Sequence, residues 1–230
     1  MFDFHSHILP DMDDGSRSIE ESISMLLESQ KHGVSGIAAT PHFYADTMVP
    51  DLFLEKRRKA LEHIKTYWQD ELLPVFPGAE VHYYDGISHS DEILKLRIEG
   101  TSLLLIEMPM MTWTKRMCNE LSILNSRKEI TVLLAHIERY LPLHNLANLE
   151  RLHCQGILMQ INGESFLHRK TKKMAIQLAK EELMDVLGSD CHNMQDRPPN
   201  LAEVYEVIKN KLGETYMQRL EEREKTILKI

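Results

Sequence analysis

Phe2-Asp3-Phe4-His5-Ser6-His7 opens the chain, and after a loop Ser18-Ile19-Glu20-Glu21-Ser22-Ile23-Ser24-Met25-Leu26-Leu27 follows. The first stretch reads as a strand over Phe2–His5 that ends in His5-Ser6-His7. The second carries the signals of a helix. Ser18 and Glu21 stand at capping-box spacing. Ile19, Ile23, Leu26 and Leu27 fall on one face, and Gly33 is placed to close the helix in a left-handed conformation. A second apolar run, Gly36–Thr40, comes next. Strand, helix, strand is the unit from which parallel sheets are built.

The same alternation continues outward. Further strands are expected at Leu73–Pro77, Leu103–Glu107, Thr131–His136, Ile157–Ile161 and Met184–Gly188. Helices are expected near Leu52–Leu72, Asp91–Ile98, Lys115–Ser126, Leu146–His153, His168–Glu182 and Leu201–Lys211, with a last charged helix after Glu214. About seven such units suit a closed barrel or an open sheet, and in both the active site gathers beyond the carboxyl ends of the strands. No repeat, low-complexity stretch or Gly/Ser-rich linker divides the sequence, so residues 1–230 read as one domain.

Composition narrows the function. With 27 basic and 35 acidic residues the net charge is −8. Such a chain has no general electrostatic reason to seek nucleic acid or an anionic membrane. Any handling of phosphate would need local positive charge, from an arginine or a bound metal. The three cysteines, Cys118, Cys154 and Cys191, are odd in number and lack C-x-x-C spacing, which fits a reducing cytosol. The start shows no signal-peptide pattern, and no apolar run approaches the ~18 residues of a membrane span. A cytoplasmic protein is expected. The compositional anomaly is histidine, of which there are twelve.

Histidine and carboxylate recur where strands end: His5-Ser6-His7, Thr40-Pro41-His42, Gly78-Ala79-Glu80, Ile106-Glu107, Ala135-His136 and Gly188-Ser189-Asp190-Cys191-His192. Only the strand before Asn162 and Glu164 lacks a clear metal-type residue. Residues i and i+2 of a strand point to one side, so His5 with His7, and Asp190 with His192, can converge on an ion. Mixed imidazole and carboxylate donors suit Mn²⁺, Fe²⁺ or Zn²⁺ better than Ca²⁺ or Mg²⁺. Nine candidates, His5, His7, Asp14, His42, Glu80, Glu107, His136, Asp190 and His192, are too many for one ion. Two or three metals with a bridging carboxylate are inferred.

These residues resemble the PHP (polymerase and histidinol phosphatase) superfamily. Within it the chain is similar to the bacterial tyrosine-protein phosphatases of capsule and exopolysaccharide operons. The resemblance rests on His5-Ser6-His7-Ile8-Leu9-Pro10 with Asp13-Asp14-Gly15, then Ala39-Thr40-Pro41-His42 and Gly78-Ala79-Glu80. It continues through Ala135-His136-Ile137-Glu138-Arg139-Tyr140 to Ser189-Asp190-Cys191-His192. Departures fall at Pro10-Asp11, where glycine is common, and at Ile137, where proline is common; neither is a ligand. Glu107 stands where many PHP relatives have histidine.

The resemblance implies an α/β fold, a distorted (βα)7 TIM-like barrel of the PHP type, with up to three ions, manganese foremost. It assigns His5, His7, Glu80 and Asp190 to a first ion. Glu80, Glu107 and His136 go to a second, with Glu80 bridging, and Asp14, His42 and His192 to a third. Asp11 and Asp13 compete with Asp14, and the resemblance alone decides between them. Arg139 and Arg197 are the candidates for holding phosphate, since a guanidinium binds two oxygens at once. The implied reaction is hydrolysis of phosphotyrosine, a metal-bridged hydroxide attacking phosphorus in line. The implied substrate is the tail of a cognate bacterial tyrosine kinase that controls capsular or exopolysaccharide synthesis.

Competing readings are a small-molecule phosphomonoesterase such as a histidinol-phosphate phosphatase, a regulatory protein whose metals only organise a surface, and a nuclease, which the net charge disfavours. Cys191 to Arg197 has the C-x₅-R spacing of cysteine-dependent phosphatases. It lacks the glycine that a phosphate-wrapping loop needs, and Asp196 would repel phosphate. His32, His63, His89, His144, His153 and His168 read as structural or exposed, and His82 is left out of the ligand set. Lys56-Arg57-Arg58-Lys59 reads first as a solvated helix face and second as an attractor of an acidic substrate. Met108, Met110, Met111 and Trp113, like Phe43, Tyr44, Tyr83 and Tyr84, either pack under loops or border the site.

Overall fold

A computed structural model describes residues 1–67 and 73–228. Strands β1 (Phe2–Ser6), β2 (Gly36–Ala39), β3 (His42–Phe43), β4 (Val75–Pro77), β5 (Glu80–His82), β6 (Leu103–Glu107), β7 (Thr131–Leu134), β8 (Leu158–Asn162) and β9 (Val186–Gly188) alternate with helices. The helices are α1 (Ile19–Lys31), α2 (Pro50–Tyr67), α3 (Lys115–Asn125), α4 (Leu146–His153), α5 (Glu164–Leu167), α6 (Lys172–Lys180), α7 (Leu201–Leu212) and α8 (Glu214–Leu228). The last five residues of the expected Leu52–Leu72 helix lie outside the described residues. Asp91–Ile98 forms a 3₁₀ helix over Glu92–Leu96 rather than an α-helix, and the expected His168–Glu182 helix is shorter, as α6. Among the described residues no helix is long and apolar enough to cross a membrane.

Every pairing between these strands is parallel, in the orders β1-β2-β4 and β3-β5-β6-β7-β8-β9. The two runs meet along β1. The His7 N–H donates to Cys191 O at 2.9 Å and the Asp190 N–H to His5 O at 2.8 Å, so β1 flanks the extension of β9 as well as β2. The sheet is curled. One buried cluster gathers Phe2 and Phe4 of β1, Ala38 of β2, Leu103 and Leu105 of β6, Leu133 of β7 and Val186 of β9, with Leu228 of α8 among them. Alternate residues on the same strands, Ile37, Leu104, Ile106, Val132, Leu134 and Leu187, pack instead with the helices. Both faces are therefore buried, as parallel strands require. Phe4 is fully buried, and Phe4→Ala would cost about 3–5 kcal/mol.

Helix α1 starts as its sequence requires. Ser18 Oγ accepts the Glu21 N–H at 3.1 Å. The Glu21 carboxylate returns to the N–H of Arg17 rather than of Ser18, so only half of the expected box forms. Gly33 closes the helix at φ +83°.

Two features of backbone geometry prepare the strand ends. First, β1 carries an extra residue against β2, since Asp3 faces Ile37 but Ser6 faces Ala39. In an unbroken strand Phe4 and His5 would take opposite faces; the bulge lets Phe4 enter the inner cluster while His5 and His7 turn to the end of the curl. Secondly, β7 stops at Leu134, short of the His136 expected to end it, and β9 stops at Gly188, as expected. His136 and Asp190 stand beyond them in the left-handed region, at φ +36° and +52°. Gly188 makes that approach possible: a Cβ there would lie 2.5 Å from His5 Cβ.

Candidate metal centre

Beyond the strand ends the nine candidate residues come together. His5 Nε2 lies 3.1 Å from His7 Nε2, 3.2 Å from Glu80 Oε2 and 3.6 Å from Asp190 Oδ1. His7 Nε2 lies 3.3 and 3.4 Å from the same two oxygens. Atoms at the corners of a tetrahedron stand about 3.3 Å apart when each is about 2.05 Å from its centre, the bond length of imidazole and carboxylate ligands. The five distances just given are close to that spacing.

The protons on the outer ring nitrogens support the same reading. Gln160 donates through Nε2 to Asn162 Oδ1 at 2.8 Å, and its Oε1 accepts the His136 N–H at 2.7 Å. With the amide so oriented, His5 Nδ1–H donates to Gln160 Oε1 at 3.1 Å. His7 Nδ1–H donates to Asp13 Oδ2 at 2.6 Å. Both Nε2 atoms are thereby directed at each other and at two carboxylates, an arrangement that a positive charge must occupy. Asp13 also accepts the N–H groups of His42 and Gly15. It supports the ring of His7 rather than joining Asp14 at the rim.

A second group surrounds Glu80 Oε1, 2.9 Å from His136 Nε2, with Glu107 Oε1 3.4 Å from the same nitrogen. His42 Nδ1 sits 3.0 Å from Glu80 Oε2 but has no hydrogen-bond partner, an orphaned buried nitrogen between two carboxylate groups. A third group faces solvent. Asp14 Oδ1 lies 3.5 Å from His192 Nε2 and 3.7 Å from His42 Nε2. Among the described residues, converging donors form three sets, His5, His7 and Asp190; His42, Glu80 and Glu107; and His7, Asp14, His42 and His192, with His136 beside Glu80 and Glu107 but in none of them. The donor set fits divalent ions of the Mn²⁺, Fe²⁺ and Zn²⁺ kind.

Electrostatics follow the same geometry. Burial opposes charge on His7, but its bonds to Asp13, Asp190 and Glu80 prevail and raise its pKa. Burial likewise works against His136, yet Glu107 and Glu80 lift it to about 9. Burial would raise Glu107, but His136 and His82 hold it near 2. Protons collect where cations would bind. His192 is the exception: burial, then the charges of His7 and Arg197, lower it to about 4. Its Nδ1–H donates to Asp190 O at 2.9 Å, and its Nε2 accepts from Arg197 Nη1 at 2.9 Å.

Asp190 is held from the far side. Its Oδ2 meets Arg139 Nη2 at 2.7 Å, Arg197 Nη2 at 2.5 Å and Asn162 Nδ2 at 2.6 Å. Both guanidiniums reach the rim, 37% and 32% exposed. Cys191 between Asp190 and His192 is fully buried among apolar residues, and burial pushes its thiol up to about 12. A thiolate nucleophile is not available there.

Gln160 escaped the sequence reading, although a glutamine inside the apolar run Ile157-Leu158-Met159-Gln160-Ile161 was its signal. His82, set aside in sequence, meets Glu107 Oε2 at 3.1 Å through Nδ1 and faces Tyr44, whose ring also faces His42. His144 stacks on Trp113 and His153 pairs with Asp185, both outside the centre. The Met-rich loop divides: Met108 and Trp113 are buried, whereas Met110 and Met111 are exposed.

The family model described as "Capsular polysaccharide synthesis, CpsB/CapC" matches residues 1–228. The chain belongs to the CpsB/CapC family. Among its relatives is the tyrosine-protein phosphatase CpsB of Streptococcus agalactiae, 34% identical over 96% of this chain and 94% of that one. The tyrosine-protein phosphatase CpsB of Streptococcus pneumoniae is 32% identical over 93% of this chain and 91% of its own. A solved structure from work on YwqE of Bacillus subtilis and CpsB of S. pneumoniae, called unique metal-dependent tyrosine phosphatases, matches with a TM-score of 0.86. It has 26% identity and covers 100% of this chain and 94% of that one. The match runs the length of the CpsB/CapC chain, so it includes every strand end described above.

Proposed function

We propose that this chain is a metal-dependent protein-tyrosine phosphatase of capsular or exopolysaccharide synthesis, working in the cytoplasm on a phosphorylated tyrosine kinase. The observation that carries the reading is the set of ring nitrogens His5 Nε2 and His7 Nε2, turned by Gln160 and Asp13 toward each other and toward Glu80 and Asp190. The CpsB and YwqE relatives carry the same activity in their names.

His5, His7, Glu80 and Asp190 would hold the first ion, Glu80, Glu107 and His136 the second, and Asp14, His42 and His192 the third; manganese suits this mixed donor set. Bound there, such ions lower the pKa of water to supply a nucleophile at neutral pH and offset charge on the phosphoryl oxygens. The remaining work belongs to the protein. Gln160, Asp13 and the His192 contact to Asp190 O fix which nitrogen each ring presents. Arg139 and Arg197, at the rim, bind the non-bridging oxygens and stabilise their charge. A phenolate leaving group, of pKa ~10, needs little proton donation.

For the architecture, we read one domain over residues 1–230, a distorted (βα)7 barrel of the PHP type. β2 with β3, and β4 with β5, would each be one strand broken at Thr40-Pro41 and Gly78-Ala79. The Gly78 N–H bonded to Ala39 O, and the Glu80 N–H bonded to Thr40 O and Pro41 O, support that continuity. Pro41 has no N–H to give a ladder, which accounts for the break.

The decisive experiment is hydrolysis of a phosphotyrosine peptide by protein stripped with chelator and resupplied with Mn²⁺, alongside Cys191→Ser. Activity should vanish on stripping, return with Mn²⁺ and be unchanged in the variant. Activity that survives chelation but is lost in Cys191→Ser would overturn the reading.

A further inference from the structure

The structure separates the basic run Lys56-Arg57-Arg58-Lys59 into members with different duties. Arg57 is buried and donates to Gly78 O. Arg58 pairs with Glu55 and Glu62, and Lys59 with Glu55. Lys56 has no carboxylate partner among the described residues; its Nζ donates only to Met12 O, at 3.1 Å. An ammonium has three N–H donors, so two stay open to solvent or to a ligand.

Lys56 borders a cavity of about 240 Å³ lined with His42, Phe43, Tyr44, Met48 and Phe53, and with Asp13, whose carboxylate is already taken up by His7 and the N–H groups of Gly15 and His42. His42 is a wall of this cavity and a member of the metal centre at once. Whatever enters the cavity therefore lies beside the residue being dephosphorylated. Tyr44 and Met48 give it accessible apolar surface, Phe43 and Phe53 pack edge to face at 5.3 Å and are themselves buried, and Lys56 is exposed. Asp14, 3.7 Å from His42 Nε2, is 69% exposed. Arg139 and Arg197 are both engaged with Asp190.

We propose that this cavity selects an acidic neighbour of the phosphotyrosine: a glutamate whose methylenes lie on Tyr44 and Met48 and whose carboxylate pairs with Lys56. The inference rests on the phosphatase reading above and names its substrate class, a phosphotyrosine segment flanked by glutamate. A long acidic side chain has the required form, an apolar stem with a charged end. An ion pair near solvent gives modest selectivity, about three- to fivefold in rate.

The test uses the Mn²⁺-loaded full chain with three peptides, alike except that glutamate, glutamine or lysine flanks the phosphotyrosine on both sides. Wild type, Lys56→Gln and Lys56→Glu are compared by kcat/KM, with p-nitrophenyl phosphate as a substrate that has no neighbours. Wild type should prefer the glutamate peptide over the glutamine one by about three- to fivefold. Lys56→Gln should lose the preference, and Lys56→Glu should turn it toward lysine. All three proteins should hydrolyse p-nitrophenyl phosphate equally, which also shows that the variants fold. No preference in wild type, or one that survives in Lys56→Gln, overturns the proposal while leaving the phosphatase reading intact. Wild type that hydrolyses no phosphotyrosine peptide overturns that reading, and this proposal with it.

Discussion

Strand β1 has buried carboxylates at both of its ends, and the protein treats them in opposite ways. At its start, Glu224 of α8 accepts the Phe2 N–H at 3.1 Å and the Tyr205 hydroxyl at 2.6 Å. Both donors are neutral, and burial prevails over them and over the nearby charge of the terminal amine, lifting the carboxyl to about 7. At its finish, Glu80 and Asp190 are just as buried. Burial would raise them too, but the charges and bonds of His5 and its neighbouring rings, with Arg139 beside Asp190, hold both well below the usual range. A buried carboxylate with neutral donors takes a proton; one ringed by imidazoles demands positive charge. That contrast marks the metal centre without reference to any relative.

The strongest way to break the contrast is Asp190→Asn. It keeps the shape, removes the charge and leaves Arg139 and Arg197 facing an amide. Because loss of an outer partner already costs 10–100-fold at metal sites, turnover of an aryl phosphate should fall by more than about 100-fold, with bound manganese reduced on elemental analysis. A variant within about tenfold of wild type would show that Oδ1 does not serve an ion.

How this centre was legible in sequence, and where it was not, has a physical basis. The candidate residues could be picked out in sequence, and lie together, because strand ends of parallel sheets gather at one place, whatever path the backbone takes between them. The backbone path itself could not be read. His5 and His7 do share a side, but only the bulge after Asp3 turns that side inward. Asp190 and His192, expected to converge on one ion, fall in different donor sets: Asp190, in the left-handed region, joins His5 and His7, and His192 joins His7, Asp14 and His42. Strands β3 and β5, with two and three residues, are too short for any periodicity to reveal. Gln160 was hidden for another reason: a glutamine names no metal chemistry, and its role appears only with the ring it orients.

Arg139 sharpens the comparison from the rim. Arg139→Ala should lower turnover by about 100-fold, as loss of a group that stabilises transition-state charge does, while manganese content stays near that of wild type. Loss of metal instead would make Arg139 a support for Asp190, which its 2.7 Å bond to Oδ2 also permits. Gln160→Leu is expected to act the other way round. It removes the acceptor of the His5 Nδ1–H, so manganese affinity should fall about 10–100-fold. Turnover at saturating Mn²⁺ should recover most of the wild-type value. A manganese titration separates the two variants, one failing in rate and the other in affinity.

Glu224→Gln tests the other end of β1 and should have the smallest effect. Unfolded, the carboxyl titrates near 4.5; folded, burial raises it to about 7. Below about 4.5 it is protonated in both states, and its contribution to stability is complete. As pH climbs from there through 7, the unfolded chain has given up a proton that the folded chain retains, so stability declines, then levels once both are ionised. The decline is on the order of 3 kcal/mol, from 1.36 kcal/mol per unit of pKa. Glutamine stays neutral throughout and keeps a carbonyl oxygen for the Phe2 N–H. The Tm of Glu224→Gln should therefore fall less than that of wild type between pH 5 and 8, the gap widening with pH. Parallel profiles would mean that Glu224 carries the same charge folded and unfolded, and that the two ends of β1 do not differ in the way their neighbours require.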